Sequence, residues 1–391
     1  MSDEKTFSLH ILTQGAGGGH HATLRALQAI ALTQERPWQI QVTDIGQLLE
    51  SLDPSKTLFG LEPNGLYNQM ISRGWTWLHP MTMALDKLLI RLFSPIGVKL
   101  AKRYWRQQRS LDLVISLVPL RNQGLWDSLQ RVKVNIPMVT IMTDFADSPP
   151  HFWIEPKTKS YLICGTDRAT EQARSLGVSE EYIVQTSGMI VHPSFYQPMS
   201  SDACGGLRLR RVERQRLGLD PDRITGIVLF GGEGCATMLN IAQSLDCISE
   251  RVQLIFLCGY NQKLAQALQE RPTQLRQHVQ GFTDEVPYFM SLADFFIGKP
   301  GSISISEAMV MNLPVIVEHN FSTLINEKYN AEWILEKQVG MAIKSFRRIV
   351  PAVEELLKPD NWLRYKANLA AIQNQAVFEV PDILQRILDA K

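Results

Sequence analysis

Cysteine is scarce in this sequence: five in 391 residues, at Cys164, Cys204, Cys235, Cys247 and Cys258. The count is odd and no two share CxxC spacing. That argues against a disulfide framework or a cysteine-bound zinc, and for a reducing compartment. Net charge is scarce too. Lys+Arg number 40 and Asp+Glu 39, for a formal charge of +1. This argues against a globally basic nucleic-acid binder and against an acidic-tail protein. Long apolar runs are missing, with nothing near the roughly 18 residues that a membrane-spanning helix needs. Met1-Ser2-Asp3-Glu4-Lys5 is polar and leads straight into a strand pattern, unlike a secretory leader. What remains is 45% hydrophobic and 20% charged, enough apolar material for real cores and too much for a disordered chain. The length suggests two domains or three.

Short apolar runs alternate with helical patterns. Strands are expected at Phe7–Thr13, Gln39–Thr43, Leu113–Val118, Met138–Thr143, Tyr161–Cys164 and Ile183–Thr186. The first ends in Gly15-Ala16-Gly17-Gly18-Gly19, and a helix pattern with Leu24, Leu27 and Ala31 follows. The same opening returns later. Ile224–Phe230 runs into Gly231-Gly232-Glu233-Gly234 and a helix with Met238, Ile241 and Leu245, then strands at Val252–Cys258, Phe295–Ile297 and Pro314–Val317. The expected fold is α/β, two Rossmann-like domains facing a cleft, with parallel sheets covered on both faces. The expected division is 1–198, a polar and irregular linker at 199–216, and 217–391. Asn361–Lys391 is expected as two helices around Pro381, the last of which closes the second domain or crosses back to the first.

Met81–Arg109 fits no simple α/β unit. Its helical pattern mixes aliphatic residues with Lys87, Arg91, Lys99, Lys102, Arg103, Trp105 and Arg106, and Asp86 is its one acid. Trp75 and Trp77 lie just upstream. Basic charge interleaved with apolar groups is the composition of an element that lies on an anionic membrane surface. A buried-face helix with a solvated basic rim is the plainer alternative.

Both glycine loops open helices, where free amides and the helix dipole suit an anion and glycine permits close approach. His20 stands directly after the first loop, at the strand ends where open α/β sheets place ligands. A histidine there is biased toward its neutral form and can take a proton; a packing histidine is the bland alternative. As a dinucleotide fingerprint the first loop lacks its third glycine, although Asp44 stands where a ribose-binding acid belongs. Lys299-Pro300-Gly301-Ser302-Ile303-Ser304 is a strand end, a small-residue turn and a helix start suited to phosphate. Glu307 could hold ribose hydroxyls, although by itself it reads more simply as a solvated carboxylate favoured by the helix dipole. Asp220-Pro221-Asp222 reads as a turn rather than a metal-binding pair. No metal and no cofactor are expected.

Together these segments resemble the GT-B glycosyltransferases of the monogalactosyldiacylglycerol synthase type, relatives of the MurG-like transferases. Gly17-Gly18-Gly19-His20-His21-Ala22-Thr23 is similar to their GGGHRAS opening, and Thr143-Asp144 with Pro149-Pro150-His151-Phe152-Trp153 to TD…HPTWF. Gly188-Met189-Ile190-Val191-His192-Pro193-Ser194-Phe195 resembles GLPVRPSF. Gly231-Gly232-Glu233-Gly234 resembles GGEG, and the stretch from Cys258 through Gly259 to Leu264 resembles CGRNKKL. Gly281-Phe282-Thr283, Lys299 to Glu307, and Asn326-Glu327-Lys328-Tyr329-Asn330 complete the set in order.

The resemblance implies an inverting, metal-independent transfer of a hexose from a UDP-sugar to a lipid, with diacylglycerol as the acceptor. The enzyme would sit peripherally on the cytoplasmic face of a membrane, with no nucleic-acid partner. It implies uracil near Phe282, ribose on Glu307, diphosphate near Gly232 and the Ser302–Ser304 turn, and sugar hydroxyls near Glu327 and Asn330. It implies His20 as the acceptor-side catalytic group. Where the family carries Asp before the glycines, a His in SVHP, Arg in GLPVRPSF and Gln before Glu, this chain has Gly15, Val118, His192 and Asn326. A changed acceptor, a changed sugar or lost activity each accounts for those departures. Other readings are a transferase using UDP-N-acetylglucosamine and a polyprenyl-linked acceptor, a lipid-surface protein without catalysis, and an NAD-linked oxidoreductase.

Overall fold

A computed structural model describes residues 6–15, 18–46, 95–197 and 203–390. The chain divides into two compact units. The first comprises Met1–Pro193, Leu324–Asn326 and Asn374–Lys391, and the second Ser194–Thr323 and Glu327–Gln373.

The first unit holds six strands: β1 (Phe7–Thr13), β2 (Trp38–Asp44), β3 (Leu113–Ser116), β4 (Met138–Ile141), β5 (Tyr161–Cys164) and β6 (Ile183–Gln185). All are parallel, in the order β2-β1-β3-β4-β5-β6. The central β3 and β4 are buried at every position, as apolar runs covered on both faces should be. The edge strand β2 is mostly open to water. In β1, buried His10 places Nε2 2.9 Å from Thr43 Oγ1 and 2.5 Å from the Tyr104 hydroxyl. Burial lowers its pKa to about 4, so the ring is neutral near pH 7.

Tyr104 lies on a helix that covers 95–107 of the basic segment. Lys99, Arg103 and Arg106 are exposed and Lys102 is half-buried. Trp105 departs from the membrane-contact expectation. It is 1% exposed, packs among Leu12, Val114 and Leu125, and donates from Nε1 to Ser128 Oγ at 2.9 Å. Trp75, Trp77, Lys87 and Arg91 lie outside the described residues, as does Gly17.

The second unit repeats the architecture with β7 (Ile224–Leu229), β8 (Val252–Leu257), β9 (Gln277–Gln280), β10 (Phe295–Gly298), β11 (Val315–Glu318) and β12 (Gly340–Ile343). The parallel order is β12-β11-β10-β7-β8-β9. The edge strands β9 and β12 escape the sequence reading. Gln277-His278-Val279-Gln280 is polar at three of its four positions, so it shows no apolar run, whereas Gly340-Met341-Ala342-Ile343 is a short apolar run that the sequence reading left unassigned.

Two expectations about the chain's joints need correction. The stretch read as an irregular linker forms a helix, Ala203–Arg216. Its arginines fix it to the second unit: Arg210 and Arg214 each reach Asp294 at 2.7 Å. The C-terminal helices, Pro359–Ala371 and Ala376–Asp389, break at 372–375, and Pro381 sits inside the second of them. That final helix belongs to the first unit. There Trp38 donates to Gln385, Asn374 donates to the Met189 carbonyl, and Glu379 accepts from the Ser187 amide. No helix among the described residues is long and apolar enough to cross a membrane.

Candidate active site

Each sheet has one place where the chain turns back. In the first it lies between β1 and β3, and in the second between β7 and β10. The loops leaving these strand pairs diverge, so their carboxyl ends form the crevice in which α/β sheets bind ligands.

In the first unit, β1 delivers the chain to the helix Gly18–Thr33, with Gly18, Gly19 and His20 as its first three residues. His20 is half-buried. Its Nδ1 lies 3.3 Å from Thr143 Oγ1, and its ring centroid is 5.9 Å from that of Trp153. Burial pushes its pKa down to about 4. The neighbouring His21 adds to this and a hydrogen bond with the Leu117 backbone opposes it. The ring is therefore neutral near pH 7. The sign is fixed: between about pH 6.5 and pH 4 the unfolded chain binds the proton first, so folding stability falls as the solution is acidified through that window. A rate that needs neutral His20 should hold level from pH 7 down to about pH 5, with an acid limb near pH 4 in kcat/KM. A limb near pH 6.5 would show an ordinary, solvated histidine.

Asp144 is buried and accepts from Trp153 Nε1 at 2.9 Å. Trp153 is itself held by Asp147, a residue the sequence reading passed over. Asp147 accepts from the amides of His151 (2.8 Å), Phe152 (2.9 Å), Trp153 (2.6 Å) and Ile154 (3.4 Å). One carboxylate thus shapes the loop that backs His20. Burial raises the Asp147 pKa against the lowering effect of those four amides. Asn326 falls within this unit, one residue before Glu327, with its amide 3.5 Å from Asp144 Oδ1.

In the second unit the expected donor residues gather along one sheet edge. A β-carbon built on Gly301 would lie 3.6 Å from Lys299 Cε, 3.7 Å from Ser304 Oγ and 3.9 Å from Glu327 Oε1. One built on Gly231 would lie 3.7 Å from Lys299 Cε, and one on Gly232 3.9 Å from the Tyr260 ring. Lys299 Nζ pairs with Glu327 Oε1 at 3.1 Å. Tyr260 stacks on Phe282, with centroids 4.2 Å apart and planes inclined by 14°. Read along the carboxyl edge, the order is Phe282, Tyr260, Gly232, Gly231, Lys299, Gly301, Ser304 and Glu327. Glu307 follows Ser304 by three residues on the half-exposed stripe of the helix Ser302–Val310. Glu233 is exposed on the Gly231–Gly234 loop, and its carbonyl accepts from Asn261 at 3.3 Å.

Two expected ligand contacts turn inward. Ser302 is buried. Asn330 is fully buried, and its Nδ2 donates to the Pro300 carbonyl at 2.8 Å. That bond fixes the turn that carries Lys299 and Gly301, and the buried Asn330 Oδ1 has no hydrogen-bond partner. Gly259 also has an internal task, because Tyr260 N donates to the Gly232 carbonyl at 2.7 Å and clasps the two loops together. Tyr260 was missed because nothing in sequence ties its ring to Phe282. Its place, one residue past a glycine turn at a strand end, was the available signal. Among the described residues, no three His, Cys, Asp or Glu side chains gather as metal ligands.

Residues 227–387 match the glycosyltransferase family 28 C-terminal domain. Over 411 aligned residues the chain is 25% identical to the chloroplastic monogalactosyldiacylglycerol synthase of Spinacia oleracea, covering 97% of this chain and 72% of that one. It is 26% identical over 380 residues to a probable chloroplastic monogalactosyldiacylglycerol synthase of Glycine max, covering 92% and 67%. Among solved structures, MurG of Acinetobacter baumannii matches at a TM-score of 0.61 and 13% identity, covering 98% of this chain and 100% of that one. The likeness to solved structures establishes the GT-B fold.

Proposed function

We propose that this chain, a relative of the monogalactosyldiacylglycerol synthases with a glycosyltransferase family 28 C-terminal domain, moves a hexose from a UDP-sugar to a lipid hydroxyl with inversion. Diacylglycerol is the acceptor in this reading. The sugar-transfer class rests on the family 28 match and the relatives. The observation that carries the finer reading is the order of side chains along the second sheet's edge. An aromatic pair comes first, then glycine amides, then a lysine, then carboxylates. That sequence of chemistries suits a base, a diphosphate and a sugar in turn.

The step balances without an added reactant. The acceptor oxygen attacks the anomeric carbon from the side opposite the diphosphate. The bond from that carbon to the diphosphate breaks, and its electron pair leaves with UDP. The acceptor proton passes to His20, whose neutral ring is free to take it. Lys299 and the glycine amides at Gly231 and Gly232 meet the charge that develops on the leaving oxygen. No metal is assigned to the step in this reading. The exposed Lys99, Arg103 and Arg106 suit the anionic face of a membrane, so the protein works as a peripheral enzyme on the cytoplasmic side.

The test is transfer by the purified chain to vesicles containing diacylglycerol, across UDP-galactose, UDP-glucose and UDP-N-acetylglucosamine. Formation of a hexosyl lipid is the expected result. No product from any donor, with vesicle binding intact, would leave a lipid-surface protein without catalysis. Lys299→Met should weaken UDP binding roughly tenfold by calorimetry, the cost of one charge-assisted contact. Unchanged affinity would remove Lys299 from the diphosphate site.

A further inference from the structure

We propose that the outward face of the helix Ala203–Arg216, where Leu209 and Val212 stand among Arg208, Arg211 and Arg216 with Leu207 at the margin, docks on an anionic lipid bilayer. The inner face of this helix is fully engaged. Arg210 and Arg214 grip Asp294 at 2.7 Å, and Arg214 also donates to the carbonyls of Leu292, Pro221 and Arg223. The helix therefore cannot roll to hide its other side.

That other side is unusual for a solvated helix. Leu207 is 62% exposed, Val212 50% and Leu209 38%, where a water-facing stripe should be polar. The helix carries five arginines against one acid, Glu213. Two outer arginines have partners, Arg211 with Asp222 at 2.7 Å and Arg216 with Glu213 at 2.8 Å. The first pair is solvated on both sides, and exposed pairs of this kind are weak and screened by salt. The second is firmer, because the Glu213 side chain is only 20% exposed and Arg216 also donates to the Tyr288 hydroxyl at 2.9 Å. The Arg211 guanidinium can exchange its carboxylate for a lipid phosphate at small cost, and Arg208 stands exposed beside it.

The chemistry selects the occupant. A protein interface gathers aromatic groups at its centre and keeps charge to its rim, whereas here cations and short aliphatic chains alternate, the helix itself carries no aromatic residue, and Tyr288 meets only its last turn, at Glu213 and Arg216. A bilayer surface takes that mixture, with leucine and valine at the acyl boundary and arginines reaching back to phosphates. The face belongs to the second unit, so it is a contact additional to the basic helix at 95–107, and it does not depend on the transfer reaction.

The experiment is co-sedimentation of the full chain with phosphatidylglycerol-rich vesicles and with pure phosphatidylcholine vesicles. Wild type should prefer the anionic vesicles and lose binding as salt rises. Arg208→Gln/Arg211→Gln should reduce partition roughly fivefold per arginine, and Leu209→Gln/Val212→Gln about tenfold. Thermal melts with and without UDP should not change, which shows that both variants are folded. Wild-type partition in both variants overturns the proposal, as does wild type that ignores anionic vesicles. Light scattering showing a wild-type dimer that these variants dissociate also overturns it, because the face would then cover a second copy. Failure of UDP to stabilise any of the proteins would count against the donor site and leave the vesicle result standing.

Discussion

His20→Ala should lower kcat/KM for sugar transfer by about 10²- to 10⁴-fold, the usual worth of a positioned proton acceptor. The thermal shift produced by UDP should stay as it is, since every residue assigned to UDP lies on the second unit. His20→Gln separates shape from chemistry. Its amide can keep a hydrogen bond to Thr143 but takes no proton, so it should be as slow as alanine. Full activity in either variant would end the assignment of His20 as base. The low pKa adds a finer expectation. A ring held near 4 by burial is a weak base toward an unreacted hydroxyl. It becomes effective only as the attacking oxygen gains positive charge late in the step. Loss should therefore appear in kcat more than in KM. A rise in KM alone would instead mark His20 as a residue that holds the acceptor.

The fold was legible wherever strands are central. β1 and β5 match their expected bounds, because Phe7–Thr13 and Tyr161–Cys164 are largely covered on both faces and so are mostly apolar, with the polar His10 of β1 satisfied by Thr43 and Tyr104. The edge strands β2 and β6 were legible too, and legibility failed at the second unit's edges and at the joints. β9 is an edge strand whose polar side chains meet partial solvent, so it carries no periodic mark. The helix Ala203–Arg216 was read as linker because its arginines looked like solvated charge. Asp294, which organises them, lies some eighty positions away in sequence. The same limit applies to the site. Glycine loops and His20 declare themselves by position after a strand. The groups that hold them do not, because Asp147 shaping the Trp153 loop and Tyr260 on Phe282 are matters of three-dimensional placement. Trp105 misled in the opposite sense. Tryptophan often meets a ligand or a surface, and here it spends its polar group inside the fold, on Ser128.

Gly259→Ala should abolish measurable UDP binding and destabilise the second unit by roughly 2–4 kcal/mol, the sum of backbone strain and overpacking. Gly259 has φ +58°, a conformation that alanine adopts only under strain. The space is also taken, because an added β-carbon would lie 1.9 Å from the Gly232 carbonyl oxygen and 2.5 Å from its carbon. Both atoms are backbone, so no side chain can swing aside. The two loops must part, and with them goes the 2.7 Å bond from Tyr260 N to the Gly232 carbonyl. That bond links the aromatic pair to the glycine amides, which are the base and diphosphate portions of the proposed donor site. The substitution therefore removes their registry while β7 and β8, which lie deeper in the sheet, keep their pairing. Gly234→Ala gives the comparison. It too has positive φ, at +59°, and its β-carbon would meet the Cys258 carbonyl at 2.7 Å. That overlap is smaller and lies behind the loop, so it should cost less stability and leave part of the UDP affinity. Denaturant melts with UDP titrations on the two variants will rank them. A Gly259 variant that binds UDP normally would show that the clasp between the loops is not what aligns the donor.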